Sequence, residues 1–116
     1  MKVLFLDDDH NRIRKAREYF SEDALFVAET APQAISILEK ESKFDVVSLD
    51  HDLGGKVYCP SDEFSGYEVA NYIAGMPVER RPYRVVVHTY NPAGADNMMR
   101  ALKDKVPELL RIPFSA

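Results

Sequence analysis

Tryptophan is absent and cysteine occurs once, as Cys59, in a chain of 116 residues. One cysteine cannot close an internal disulfide, so the fold has to rest on its core, and a reducing, cytoplasmic setting is expected. Cys59 itself reads as a loop spectator. The apolar runs are strand-sized, which excludes a membrane-crossing helix. The start, Met1-Lys2-Val3-Leu4-Phe5-Leu6-Asp7, is too short and too soon acidic for a signal peptide. Basic charge is not in excess: the net charge is −4 and the pI near 5.3, which argues against general DNA binding. No Gly-x-x-x-x-Gly-Lys loop, Gly-x-Gly-x-x-Gly fingerprint or paired-cysteine zinc motif is present.

What is present is a steady alternation of short apolar runs and amphipathic segments. With 46% hydrophobic residues it supports one modest core, hence a single domain over 1–116. Strands are expected at Lys2–Asp7, Leu25–Ala28, Asp45–Asp50, Arg84–His88 and Leu109–Ile112. Helices are expected at Asn11–Phe20, from Thr30 onward, at Gly66–Ala74 and from Asn91-Pro92 to about Lys105. In the first helix Ile13, Ala16 and Phe20 share one face. Asp9 reads as its cap, and Thr30 with Gln33 forms a capping box with Pro32 in the first turn. The pattern predicts an α/β, doubly wound, flavodoxin-like three-layer fold. Its parallel sheet has five strands in order 2-1-3-4-5, and no helix follows the last strand.

Three of these strands end in ionisable residues: Asp7-Asp8-Asp9, Asp50-His51-Asp52 and His88-Thr89-Tyr90-Asn91. Carboxylates at the ends of buried strands are costly unless paired or bound to a cation, and ligands of open parallel sheets bind beyond those ends. Asp7, Asp8 and Asp50 are hard oxygen donors suited to Mg²⁺ or Mn²⁺, with Asp52 a further candidate through its backbone carbonyl. Arg12, just after the acidic patch, is placed to reach a phosphate. Asp7-Asp8-Asp9 also satisfies the Asp-x-Asp of haloacid-dehalogenase-like phosphatases, but Asn11 stands where that family wants Thr or Val.

The arrangement resembles the receiver domain of two-component response regulators. Asp7-Asp8 looks like the family's acidic pair, Asp50 like its phosphoacceptor, and Ser65-Gly66-Tyr67-Glu68 like the glycine and helix that follow. His88 or Thr89 fills the family's Ser/Thr position, depending on a one-residue register. The departures are a longer loop between Asp50 and Gly66, Ile112 where the family carries lysine, and no final helix. Leu49-Asp50-His51-Asp52-Leu53-Gly54 and His88-Thr89-Tyr90-Asn91-Pro92-Ala93-Gly94 resemble the two motifs of a variant group, the cyclic-phosphate-processing receivers.

That resemblance implies a small enzyme acting on a cyclic phosphate, in a phosphorylated small molecule or at an RNA end, and the acidic cluster adds the expectation that it uses Mg²⁺ or Mn²⁺. The alternatives are a phosphoacceptor receiver and a non-catalytic binding module. Under the enzyme reading Asp50, His51 and His88 are the candidate catalytic residues, since histidine can carry a proton either way near neutrality. Arg12, Thr89, Asn91 and Gly94 are the candidate phosphate binders, the last two at a helix N-terminus. The loop Leu53–Ser65 is expected to set specificity through Lys56, Tyr58 and Phe64, and to be mobile at Gly54–Ser61 without ligand.

Overall fold

Each of the five runs predicted as strands forms one, and all pair in parallel in the order β2-β1-β3-β4-β5. In the computed structural model, residues 1–53, 59–62 and 64–114 are described. In chain order the elements are β1 (Lys2–Leu6), α1 (His10–Tyr19), β2 (Ala24–Ala28), α2 (Ala31–Lys40), β3 (Val46–Leu49), α3 (Gly66–Gly75), β4 (Arg84–Val87), α4 (Pro92–Leu102) and β5 (Glu108–Arg111). A 3₁₀ turn at Val78–Arg80 leads into β4. After β5 the chain is extended through Phe114.

Strand residues alternate between two faces. Leu4, Leu6, Val47, Leu49, Val85 and Val87 point into the larger core, which also takes in Leu38, Val69, Ile73, Met98 and Leu102 from α2, α3 and α4. Phe5 points the other way and packs with Ile13 and Ala16 of α1. Among the described residues α1 is the one helix on that second face, and Phe114 after β5 packs there against Phe5 and His88. An open groove of about 810 Å³ remains, lined by Phe5, Ser48, Val86, His88, Leu110 and Phe114 among others.

The caps follow the sequence. Asp9 accepts from the Arg12 amide and starts α1, one residue earlier than the apolar pattern indicated. Thr30 accepts from the Gln33 amide, while Gln33 reaches back to the amide of Glu29 rather than that of Thr30. Because the Thr30 side chain caps α2, Thr30→Ala is expected to cost about 1 kcal/mol in urea denaturation. The predicted fourth helix ran to Lys105; α4 stops at Leu102. The chain then turns through Asp104 at φ 62°, a left-handed conformation that no helix continues through.

Candidate functional site

The register Leu6↔Ala28, Leu6↔Leu49 and Leu49↔Val87 brings Asp7, Asp50 and His88 to one edge of the sheet. Asp7 is fully buried, and its amide continues the ladder to the Ala28 carbonyl. Its carboxylate accepts four hydrogen bonds: Arg12 Nε at 2.7 Å and His88 Nε2 at 3.0 Å on Oδ2, Arg12 Nη2 at 3.1 Å and the Asp9 amide at 2.9 Å on Oδ1. Burial opposes ionisation, but His88, Arg12 and the Asp9 amide outweigh it and hold the carboxyl at about 2.

His88 lies flat on Phe5, with ring centroids 4.8 Å apart. A carboxylate can only accept, so Nε2 carries the ring proton and Nδ1 accepts from the Ser48 hydroxyl at 2.7 Å. Burial pushes this imidazole below its ordinary value despite the Asp7 carboxylate.

Asp50 differs. Its Oδ1 accepts from the His51 amide at 2.9 Å, whereas the buried Oδ2 has no hydrogen-bond partner among the described residues and lies 3.5 Å from Arg12 Nη2. Burial and then the Asp7 charge raise its carboxyl to about 7, against the opposing pull of Arg12, the His51 amide and the nearby Thr89 hydroxyl. One residue of register thus separates two placements: His88 turns to Asp7, and Thr89 lies near Asp50.

Ligand oxygens of Asp7, Asp8 and Asp50 all lie within 4.8 Å of one another. Hard donors, a buried orphan oxygen and excess negative charge fit Mg²⁺ or Mn²⁺. Asp50 Oδ2 has lone pairs to offer, whereas an Asp7 oxygen would have to exchange one of its present contacts for the ion.

His51 belongs to a different group. Its ring is fully buried, with Nδ1 2.8 Å from Asp52 Oδ1 and Nε2 2.7 Å from Ser61 Oγ, which in turn accepts from Asn97 at 2.9 Å. Cys59 Sγ lies 3.3 Å from the same Asp52 oxygen. Asn91 caps α4 by accepting from the Gly94 amide at 3.0 Å, and its Nδ2 donates to Asp52 Oδ1 at 3.0 Å. A Cβ on Gly94 would meet His51 Cγ at 2.5 Å, so this glycine makes room for the imidazole.

The structure therefore joins Asp7, Asp8, Asp50, Arg12, His88 and Thr89, and gathers His51, Asp52, Asn91 and Gly94 with Cys59 beside them. Sequence reasoning did not single out Ser48, Ser61 or Asn97. Ser48 had a signal, a polar residue on an otherwise apolar strand; the other two had none, since their roles depend on loop and helix meeting. Lys56, Tyr58 and most of Gly54–Ser61 lie outside the described residues. Phe64 is exposed, and Ile112 is half-exposed at the position of the receiver lysine.

Residues 2–104 match the family model described as the cyclic-phosphate processing receiver domain. No curated protein matches the chain. Among solved structures, it is similar to the adenylate cyclase from Rhodopirellula baltica at 21% identity and TM-score 0.67, covering 97% of this chain and 76% of that one. A chain fused to a yeast Spc42 trimeric coiled-coil segment is similar at 14% identity and TM-score 0.62, with 95% of this chain and 67% of that one covered. At these identities the two structures show a shared fold.

Proposed function

The chain belongs to the cyclic-phosphate processing receiver domains, and from that premise we propose that it opens a cyclic phosphodiester at the Asp7, Asp8 and Asp50 cluster. The observation that carries this reading is the buried Asp50 Oδ2, without a hydrogen bond, among carboxylate oxygens and within 3.5 Å of Arg12. Such an oxygen is costly unless a cation completes it.

In the reaction a water oxygen bonds to phosphorus, the ring P–O bond breaks, and the departing oxygen takes a proton, giving a phosphomonoester. Asp8 and Asp50, with Asp7 behind them, would hold Mg²⁺ or Mn²⁺. The cation, when bound, supplies positive charge beside the phosphate. Arg12 is anchored by two hydrogen bonds to Asp7 and sets its guanidinium over the site, where planar donors suit phosphate oxygens. The Thr89 hydroxyl is a further donor beside Asp50.

His88 acts here as a positioning residue: pinned by Ser48, it holds Asp7. His51, Asn91 and Gly94 shape the turn from β4 into α4. The substrate class that fits is a nucleotide or RNA end carrying a 2′,3′-cyclic phosphate.

The test is incubation of the protein and Mg²⁺ with 2′,3′- and 3′,5′-cyclic nucleotides and, separately, with acetyl phosphate. The expected result is conversion of 2′,3′-cyclic substrate to monoester, lost on chelation. Arg12→Ala should lower kcat/KM by roughly 100-fold, as loss of one charge-stabilising donor does. A stable phosphoryl group on Asp50 with no turnover would instead establish a phosphoacceptor receiver. Neither outcome would leave a binding module.

A further inference from the structure

The second polar group, under the start of α4, has a donor set unlike the first. His51 Nδ1, Asp52 Oδ1 and Cys59 Sγ lie within 4.8 Å of one another. They are nitrogen, oxygen and sulfur, and His51 and Cys59 are buried. We propose that His51, Asp52 and Cys59 form a second metal site, selective for Zn²⁺ or a similar borderline-soft divalent cation, separate from the acidic site at Asp7, Asp8 and Asp50.

The distances carry it. The three edges of the donor triangle are 2.8 Å between nitrogen and oxygen, 3.3 Å between sulfur and oxygen and 3.8 Å between sulfur and nitrogen. A tetrahedral zinc ion with ordinary ligand lengths needs edges of about 3.3 to 3.6 Å. Each observed edge is within about half an ångström of that range; the Asp52 carboxylate has to turn to lengthen its edge with nitrogen, and the Cys59 side chain to shorten the sulfur–nitrogen edge.

Charge closes as well. A thiolate and a carboxylate carry two negative charges, which a divalent cation cancels in a place where net charge would be costly. On binding, the thiol releases its proton to solvent. The His51 ring proton shifts to Nε2, and the Nδ1 lone pair ligates in place of its 3.4 Å contact with Asn91 Nδ2. Ser61 is suited to both tautomers, because its hydroxyl can accept from Nε2–H as well as donate to Nε2. Asp52 keeps the Asn91 amide on its oxygen, a contact of the sort that orients a ligating carboxylate.

Selectivity follows from the donors. Mg²⁺ prefers an all-oxygen shell and has little use for thiolate or imidazole, whereas Zn²⁺ takes both. Three protein ligands leave the fourth position to water, which can enter beside Asp52, whose side chain is 14% exposed. The ion would tie Cys59 to the strand end at Asp50-His51 and so brace the acidic site from behind.

The experiment is Co²⁺ titration of the tag-free, reduced 116-residue chain, followed by absorption. One equivalent should bring in a near-ultraviolet thiolate-to-cobalt charge-transfer band and the intense visible bands of tetrahedral Co²⁺. Zn²⁺ should bleach both, and excess Mg²⁺ neither. Cys59→Ser, nearly isosteric and checked for folding by circular dichroism, should lose the charge-transfer band, and Asp50→Asn should keep it. Absence of the band from wild type overturns the site without recourse to any variant. So does its persistence in folded Cys59→Ser, its loss in folded Asp50→Asn, or bleaching by Mg²⁺. Failure here leaves the cyclic-phosphate reading untouched, because that rests on the other cluster.

Discussion

Asp50→Asn is expected to raise the melting temperature of the metal-free protein at pH 8 by about 10 °C, and to abolish stabilisation by Mg²⁺. The carboxyl has a folded-state value of about 7 against an ordinary 3.8. A group raised in this direction binds a proton in the folded state that the unfolded chain has already released. Stability contributed by the protonated form is therefore full at low pH and declines as pH rises from about 4 through about 7. Above that window the ionised Asp50 costs up to about 4 kcal/mol, at 1.36 kcal/mol for each unit of pKa.

Asparagine keeps an acceptor for the His51 amide and removes the charge, although its amide group gains nothing beside Arg12. The variant should therefore melt at nearly the wild-type temperature at pH 4 and well above it at pH 8. Mg²⁺ should stabilise wild type increasingly over the same window, by cancelling the charge that costs stability. Differential scanning calorimetry from pH 4 to 8, with and without Mg²⁺, reads all of this. A melting difference that did not change with pH would mean that Asp50 carries no such burden.

Asp7 has the opposite sign. Held at about 2 by partners that outweigh its burial, it contributes about 2 kcal/mol above pH 4, lost as pH falls through about 2. The two carboxylates on neighbouring strands thus act in separate windows.

Gly66→Ala should be the most damaging single substitution, with a loss above about 4 kcal/mol or no folded protein at all. A Cβ there would lie 1.8 Å from the Asp50 carbonyl oxygen, 2.8 Å from its carbonyl carbon and 3.1 Å from His51 Cα. All three are backbone atoms of the strand end that carries the acid, and no rotamer change relieves them. The close approach is needed because the Gly66 amide donates to the His51 carbonyl at 2.9 Å, which ties the start of α3 to the site. Gly75, at the other end of the same helix, meets nothing within 4 Å, so alanine there should be neutral or stabilise by up to about 1 kcal/mol. Urea denaturation of the two variants side by side separates a steric requirement from a general intolerance of alanine. Native stability in Gly66→Ala would sink the packing account.

The element order, the parallel sheet and its strand order were legible in the sequence, because runs of Val, Leu and Phe at strand length alternate with helices whose caps, Asp9, Thr30 and Asn91, are local features. Local chemistry also announced that ionisable residues gather at one sheet edge: Asp7, Asp50 and His88 each end an apolar run. Which of them touch was decided only by tertiary structure. A single step along β4 turns His88 to Asp7 and Thr89 to Asp50, and no periodicity can choose between them before the register with β3 is set. His51 and Asp50 are adjacent in sequence, yet one points beneath α4 and the other toward Arg12, because successive residues leaving a strand diverge. The opposed perturbations of two neighbouring acids, an Asp near 7 beside an Asp near 2, arise from burial and from charges brought across the sheet. Those depend on distance in space, and only the fold supplies that.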